Sequence, residues 1–181
     1  HPEAPHPQPR ANITLDDNAG QQNQYTSAYD LTGPAPADNR SQAMQEDLVN
    51  GRVGSMLNVL GAEATRAAQK LVVENSRLGI PMLFAYDTIH GYKTMFPVPL
   101  AESSSWDLEA IERAARVAAI ESSAAGLHWT FAPMVDISRD PRWGRIMEGA
   151  GEDPYLGALI SAARVRGFQG DDLAASDTIA A

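Results

Sequence analysis

Apolar runs alternate with amphipathic helical stretches along this chain, and that order constrains its fold more than any other feature. "VGSMLNVL" (Val53–Leu60), "IPMLFAY" (Ile80–Tyr86) and "LHWTFAPMV" (Leu127–Val135) read as buried strands. "SQAMQEDLVNG" reads as a short helix before the first of them, capped by Ser41 and stopped by Gly51. "AEATRAAQKLVVENSRLG" follows the first run, with Ala64, Ala67, Ala68, Leu71, Val72 and Leu78 on one face and Gly79 at its stop. "SSWDLEAIERAARVAAIESSAAG" follows the second. Its apolar face is Leu108, Ile111, Ala115, Ala118 and Ala119, its cap is Ser104 or Ser105, and Gly126 ends it. "PYLGALISAARVRGF" follows the third, capped by Asp153, with Pro154 at the favoured first position. Strands that are continuously apolar, each followed by a helix, predict an α/β fold with a parallel sheet covered on both faces or closed into a barrel.

Residues ahead of this region carry weaker signals. "HPEAPHPQPR" has four prolines and no period, so residues 1–13 are expected to be a disordered, proline-rich lead. "TLDDNAGQQ" is a candidate short helix with Thr14 as its cap, "NQYTSAY" a candidate strand, and "TGPAPADNR" (Thr32–Arg40) a loop.

The bulk numbers exclude several classes of function. A formal net charge of −9 argues against nucleic acid or an anionic membrane as partner, because phosphates demand clustered Lys and Arg. No apolar run approaches the roughly 18 residues of a membrane span. The chain has no Cys, which removes disulfides, thiolate nucleophiles and Cys-ligated zinc. His90 and His128 lack metal-ligand spacing, so no zinc site is expected, and with no P-loop and no GxGxxG in the sequence no cofactor is expected either.

In parallel α/β folds, chemistry collects where strands end and the chain turns toward the next helix. Two such connections are long: "DTIHGYKTMFPVPL" (Asp87–Leu100) and the charged, Pro- and Gly-stiffened "PMVDISRDPRWGRIMEGAGEDPY" (Pro133–Tyr155). Asp87 ends a strand. Its carboxylate either grips two neighbouring hydroxyls, as a sugar would present, or caps the turn at Thr88–His90. His90 is a general base or, by the plainer reading, bonds a loop carbonyl. His128 reads as a packed or rim histidine. Of Arg142 and Arg145, one ties the loop to Asp136, Asp140 or Glu148 while the other faces a ligand. Trp143 either stacks on a ligand or plugs the base of the loop. Glu148, Glu152 and Asp153 could supply an acid/base pair, but Asp153 suits a helix cap and Glu152 a helix N-terminus. Their separation would decide a two-carboxylate mechanism.

Taken together, "PMLFAYDTIHGYKTMFPVPLAESSSWD" and "GLHWTFAPMVDISRDPRWGRIMEGAGEDPYL" resemble the N-terminal domain of glycoside hydrolase family 3, in its bacterial periplasmic β-glucosidase branch. "TLDDNAGQQNQYTS" resembles that family's opening helix and first strand, although Asn18 and Ala19 stand where a Lys and a larger aliphatic are usual. The resemblance covers about residues 14–181 and implies a partial (β/α)8 barrel, roughly its first four β/α units.

It further implies retaining hydrolysis of β-glucosidic bonds at the non-reducing end, with an Asp nucleophile and a Glu acid/base. Asp87 and Arg145 would hold hydroxyls of the cleaved glucose, with Arg142, His90 and Glu148 building the same wall. The family's Lys-His pair lies on the next strand, its nucleophile later and its acid/base in the following domain. "ASD" (Ser176, Asp177) is not that nucleophile, because no apolar strand precedes it. No catalytic residue is therefore expected within the chain, which would depend on a missing C-terminal remainder and be inactive alone. The alternative is a non-catalytic, weak glucose-binding module. Open sheet edges would also invite self-association. A periplasmic or secreted location is what the resemblance and the proline-rich start suggest.

Overall fold

The computed structural model describes residues 39–181, and the expectations for residues 1–38 lie outside the described residues. The chain divides into two compact units, one ending at Ala85 and the other running from Tyr86 to Ala181.

The described part of the first unit contains helix α1 (Asn39–Val49), strand β1 (Ser55–Leu57), helix α2 (Ala62–Asn75) and strand β2 (Leu83–Tyr86), whose last residue opens the second unit. Helix α1 begins earlier than the sequence suggests. Asn39 and Arg40, expected in a loop, are helical, so Ser41 lies inside the helix rather than capping it. Gly51, just past the end, takes φ +68°, a conformation that favours glycine.

β1 and β2 pair in parallel, with Ser55 opposite Leu83 and Leu57 opposite Ala85. Both are shorter than their apolar runs. Asn58 turns to φ +60° and ends β1. On the other run, Pro81 has no N–H to give a ladder. The next residue, Met82, is bracketed by an amide side chain: Gln69 Nε2 donates to its carbonyl (3.0 Å), and its N–H donates to Gln69 Oε1 (2.7 Å). A side chain thus takes the place of a strand partner, and β2 starts only at Leu83.

Helix α2 buries Ala68 and Val72 of the expected face together with Thr65, leaves Ala64, Ala67 and Leu71 half-buried, and closes at Ser76. Leu78 falls beyond the helix and is exposed. Gly79 is not the stop. It sits three residues past the end, where its N–H bonds Ser76 Oγ at 3.0 Å.

In the second unit, α3 (Pro99–Ser103), α4 (Leu108–Ala124), strand β3 (Trp129–Thr130), a 3-10 turn (Ile146–Glu148) and α5 (Pro154–Gln169) follow in order. The serines ahead of α4 do not cap it. They belong to α3 and its exit, and Asp107 takes the amide of Ala110 at 2.9 Å instead. Asp153 caps α5 by accepting from Tyr155 N at 2.9 Å, with Pro154 at the first turn, as the sequence predicts.

Helices α4 and α5 meet through small residues. Ala115, Ala118 and Ala119 join Ala132, Phe168 and Ile179 in one buried cluster. Gly167 allows the closest approach: a Cβ there would lie 2.4 Å from the Glu112 carbonyl oxygen and 2.7 Å from Ala115 Cβ.

Strand β3 is much shorter than the apolar run Leu127–Val135. Ala132 N donates to Thr130 Oγ1 (3.2 Å) rather than to a ladder, and Pro133 has no N–H at all. At its far side β3 meets the last residues of the chain. Thr130 N donates to Ala180 O (2.9 Å) and Ala180 N to His128 O (2.8 Å), a parallel bridge.

Candidate functional site

The ends of β2 and β3 are brought side by side by two threonines. Thr88 and Thr130 are both buried, and their hydroxyls are 2.8 Å apart, with Thr88 N donating to Thr130 Oγ1 at 3.3 Å. Each satisfies the other in a place where an unpartnered hydroxyl would be costly. The consequence is that the two long connections, one leaving Asp87 and the other leaving Phe131, rise from the same rim.

The first connection is held at several points. Gly91 (φ +123°) lies against the loop's return, where a Cβ would stand 2.0 Å from Thr94 O, so no other residue fits. His90 Nδ1 lies 2.9 Å from Phe96 O, and Phe96 N donates back to His90 O at 2.8 Å. Of the two readings of His90, the loop-carbonyl bond is the one the structure contains. From α4, Glu121 accepts from Lys93 N and Thr94 N (both 2.8 Å) and from Thr94 Oγ1 (2.6 Å). These bonds hold the Glu121 carboxyl below its usual range.

The second connection braces itself. Arg142 forks onto Asp140, Nε to Oδ1 at 2.9 Å and Nη2 to Oδ2 at 2.6 Å, and its side chain is 89% exposed. Arg145 forks onto Glu148, with Nε at 3.0 Å and Nη2 at 2.6 Å from Oε2. Ser138 N donates to Gly151 O (3.0 Å), and Ser103 Oγ on α3 donates to Ala150 O (2.6 Å), pinning the loop's exit. Trp143 is half-buried within the turn, Glu152 is exposed, and Asp153 is the helix cap already described.

Asp87 joins the two connections electrostatically. Its carboxyl is raised above the usual aspartate value, first by loss of surrounding water and then by the Glu148 charge. Arg145, the Ile89 amide and His90 pull the other way. The residue as a whole remains exposed. Arg145 in turn is raised chiefly by Glu148 and also by Asp87 and Asp136. Asp87 is thus coupled electrostatically to His90, Arg145 and Glu148, whereas Arg142 forks onto Asp140. A carboxylate acceptor beside a forked donor, at an open rim, suits a ligand rich in hydroxyls.

Three structural features were not read from the sequence: the Thr88–Thr130 pair, the Glu121 clamp, and an ion pair between Arg164 on α5 and Glu102 on α3. The last had a visible signal. Arg164 falls within the buried stripe Gly157, Ile160, Ala163, Gly167 and Phe168, and a charge inside an apolar stripe calls for a partner.

Comparison with known proteins places the chain. The model of the glycosyl hydrolase family 3 N terminal domain matches residues 14–177. A periplasmic beta-glucosidase of Salmonella typhimurium is 42% identical over 158 residues, covering 87% of this chain and 20% of that protein. A beta-xylosidase of Formosa agariphila is 35% identical over 106 residues, 53% of this chain and 15% of that one. Among solved structures, a beta-glucosidase from Listeria innocua in complex with glucose superposes with a TM-score of 0.69 at 37% identity, over 84% of this chain and 22% of that one. The α/β arrangement with parallel strands is part of the (β/α)8 barrel of these enzymes. The chain spans about a fifth of the length of the relatives it matches. With its family model matched along most of its length, the chain belongs to glycosyl hydrolase family 3, within that family's N-terminal domain.

Proposed function

We propose that this chain is the N-terminal portion of a retaining, exo-acting β-glucosidase that removes terminal non-reducing β-D-glucosyl residues. Its part is to supply two walls of the glucose subsite. The observation that carries this reading is the convergence of Asp87 with Arg145 and Glu148 at the rim where two long connections meet. Asp87 accepts hydrogen bonds from sugar hydroxyls. Arg145, held in orientation by Glu148, donates from the other side, and His90 and Arg142 shape the loops around them. Names borne by relatives, a periplasmic beta-glucosidase and a beta-glucosidase bound to glucose, support the same ligand class and a periplasmic or secreted location.

Cleavage with retention needs a nucleophile and an acid/base about 5–5.5 Å apart. We assign neither role to a residue of this chain, so residues 1–181 alone bind glucose weakly and do not turn over. The test is release of chromophore from aryl β-glucosides and β-xylosides. Expected results are no release above buffer from residues 1–181, and release from the glucoside by the protein extended through its reading frame, suppressed by Asp87→Ala. Turnover by residues 1–181 that vanishes with Asp87→Ala refutes the division of labour, and cleavage of the xyloside alone refutes the substrate. Calorimetry of residues 1–181 with glucose should give millimolar affinity at best, roughly −4 kcal/mol or weaker.

A further inference from the structure

The side chains of Arg164 and Glu102 are 5% and 9% exposed, the most deeply buried ion pair among the described residues. Burying two charges is expensive, and a hydrophobic pair of similar size would commonly serve stability as well or better. Stability alone therefore does not account for the pair. What it touches offers a reason. Arg164 Nη1 donates to the carbonyl of Ile89 at 2.8 Å, and Nη2 is held by Glu102. Ile89 lies two residues after Asp87 in the same turn, and its amide favours the charged form of the Asp87 carboxyl. The guanidinium thus holds the backbone of the loop two residues beyond Asp87.

The packing around this chain of contacts leaves little slack. Thr88, Ile89, His90, Gly91, Glu102 and Arg164 border a space of about 10 Å³, too small for the loop to settle into. The planar fork matters here. A guanidinium reaches the Ile89 carbonyl and the Glu102 carboxylate at once, in a fixed geometry that an ammonium cannot reproduce. Glu102 sits on α3 and Arg164 on α5, so the position of Ile89 is referred to two helices rather than to the loop itself.

We propose that Arg164 and Glu102 are positioning residues for substrate binding: through Ile89 they set the Asp87 carboxylate where it meets the sugar hydroxyls. The proposal rests on the β-glucosidase reading given above, and it assigns neither residue a contact with substrate. A small displacement of a group that orients substrate is enough to slow a reaction by up to about 100-fold.

The experiment uses the full-length protein and an aryl β-glucoside. Arg164→Met should lower kcat/KM by about 10- to 100-fold with the far-ultraviolet circular dichroism of the parent. Arg164→Lys, which keeps the charge but loses the fork, should recover only part of that loss. The decisive measurement is a cycle with Asp87→Asn. If Arg164 acts through Asp87, then Arg164→Met costs less than about twofold once Asp87 is already Asn. A penalty of equal size in both backgrounds overturns the proposal, as does parental kcat/KM in a folded Arg164→Met protein. Glu102→Gln is the milder companion should Arg164→Met fail to fold. Its smaller loss must vanish in the Asp87→Asn background by the same logic, and its persistence there overturns the proposal. A parent that cleaves no aryl glycoside overturns the β-glucosidase reading itself and this inference with it, whereas an active parent with indifferent variants overturns the inference alone.

Discussion

Arg145 and Glu148, three residues apart across a single 3-10 turn, form a forked ion pair whose nitrogens lie 3.0 and 2.6 Å from Oε2, and the same Glu148 charge pushes the Asp87 carboxyl upward. One carboxylate thus orients the donor of the site and opposes ionisation of its acceptor. Replacing Glu148 with Gln should lower the Asp87 pKa, because the repelling charge is gone while Arg145 remains. Carbon-detected NMR titration of the Asp87 carboxyl checks this, and an unchanged or raised value contradicts it. The same variant should raise KM for an aryl β-glucoside, since Arg145 loses its brace.

Asp87 is predicted to trade stability for binding. Its carboxyl is raised above the ordinary 3.8 by burial and by Glu148. A raised acid holds its proton more tightly folded than unfolded, so its favourable contribution is fully present below 3.8 and is lost as pH rises through the folded value. Asp87→Asn removes that loss. The Tm of the variant should exceed that of the parent at pH 7 and match it near pH 3. Activity toward the aryl glucoside should fall about 10- to 100-fold, the worth of a charged hydrogen bond. A Tm lowered at pH 7 would contradict the account.

Glu121 should act in the opposite sense. Its carboxyl is held below the ordinary 4.5, first by the Thr94 hydroxyl and amide. A depressed acid contributes stability above its unfolded value and loses it as pH falls through the folded one. As pH falls through that folded value, which lies below 4.5, the clamp on the Asp87–Leu100 connection should therefore release. Hydrogen exchange at the Lys93 and Thr94 amides, corrected for intrinsic rates, should accelerate there, and Glu121→Gln should show faster exchange already at pH 7.

Gly167→Ala tests the approach of α4 and α5. Alanine is the better helix former by about 1 kcal/mol, but its methyl would meet Glu112 O at 2.4 Å and Ala115 Cβ at 2.7 Å. The backbone oxygen cannot swing aside, so overpacking should prevail, with a net loss of about 1–3 kcal/mol in chemical denaturation. Gly54→Ala, where a Cβ meets nothing within 4 Å, is the control and should stay within about 0.5 kcal/mol of the parent.

The chain's own order of residues determined the features that depend on near neighbours. Ala68 and Val72 of the α2 face, the face of α4, the Asp153 cap with Pro154 behind it, and the two charged connections were legible, because period and capping act within a few residues. Only the tertiary structure decided the rest. Strand length depended on how each backbone group was partnered: the Gln69 side chain took a strand's place beside Met82, Asn58 turned the chain to φ +60°, and Pro81 and Pro133 have no N–H to offer. Which arginine joined Asp87, and which histidine nitrogen met a carbonyl, depended on where the loops came to rest. The Thr88–Thr130 and Glu102–Arg164 pairs span 42 and 62 residues of chain. Contacts at such separations are specified by packing of whole helices against a sheet, which no local pattern encodes, and it is these contacts that hold Asp87 in place.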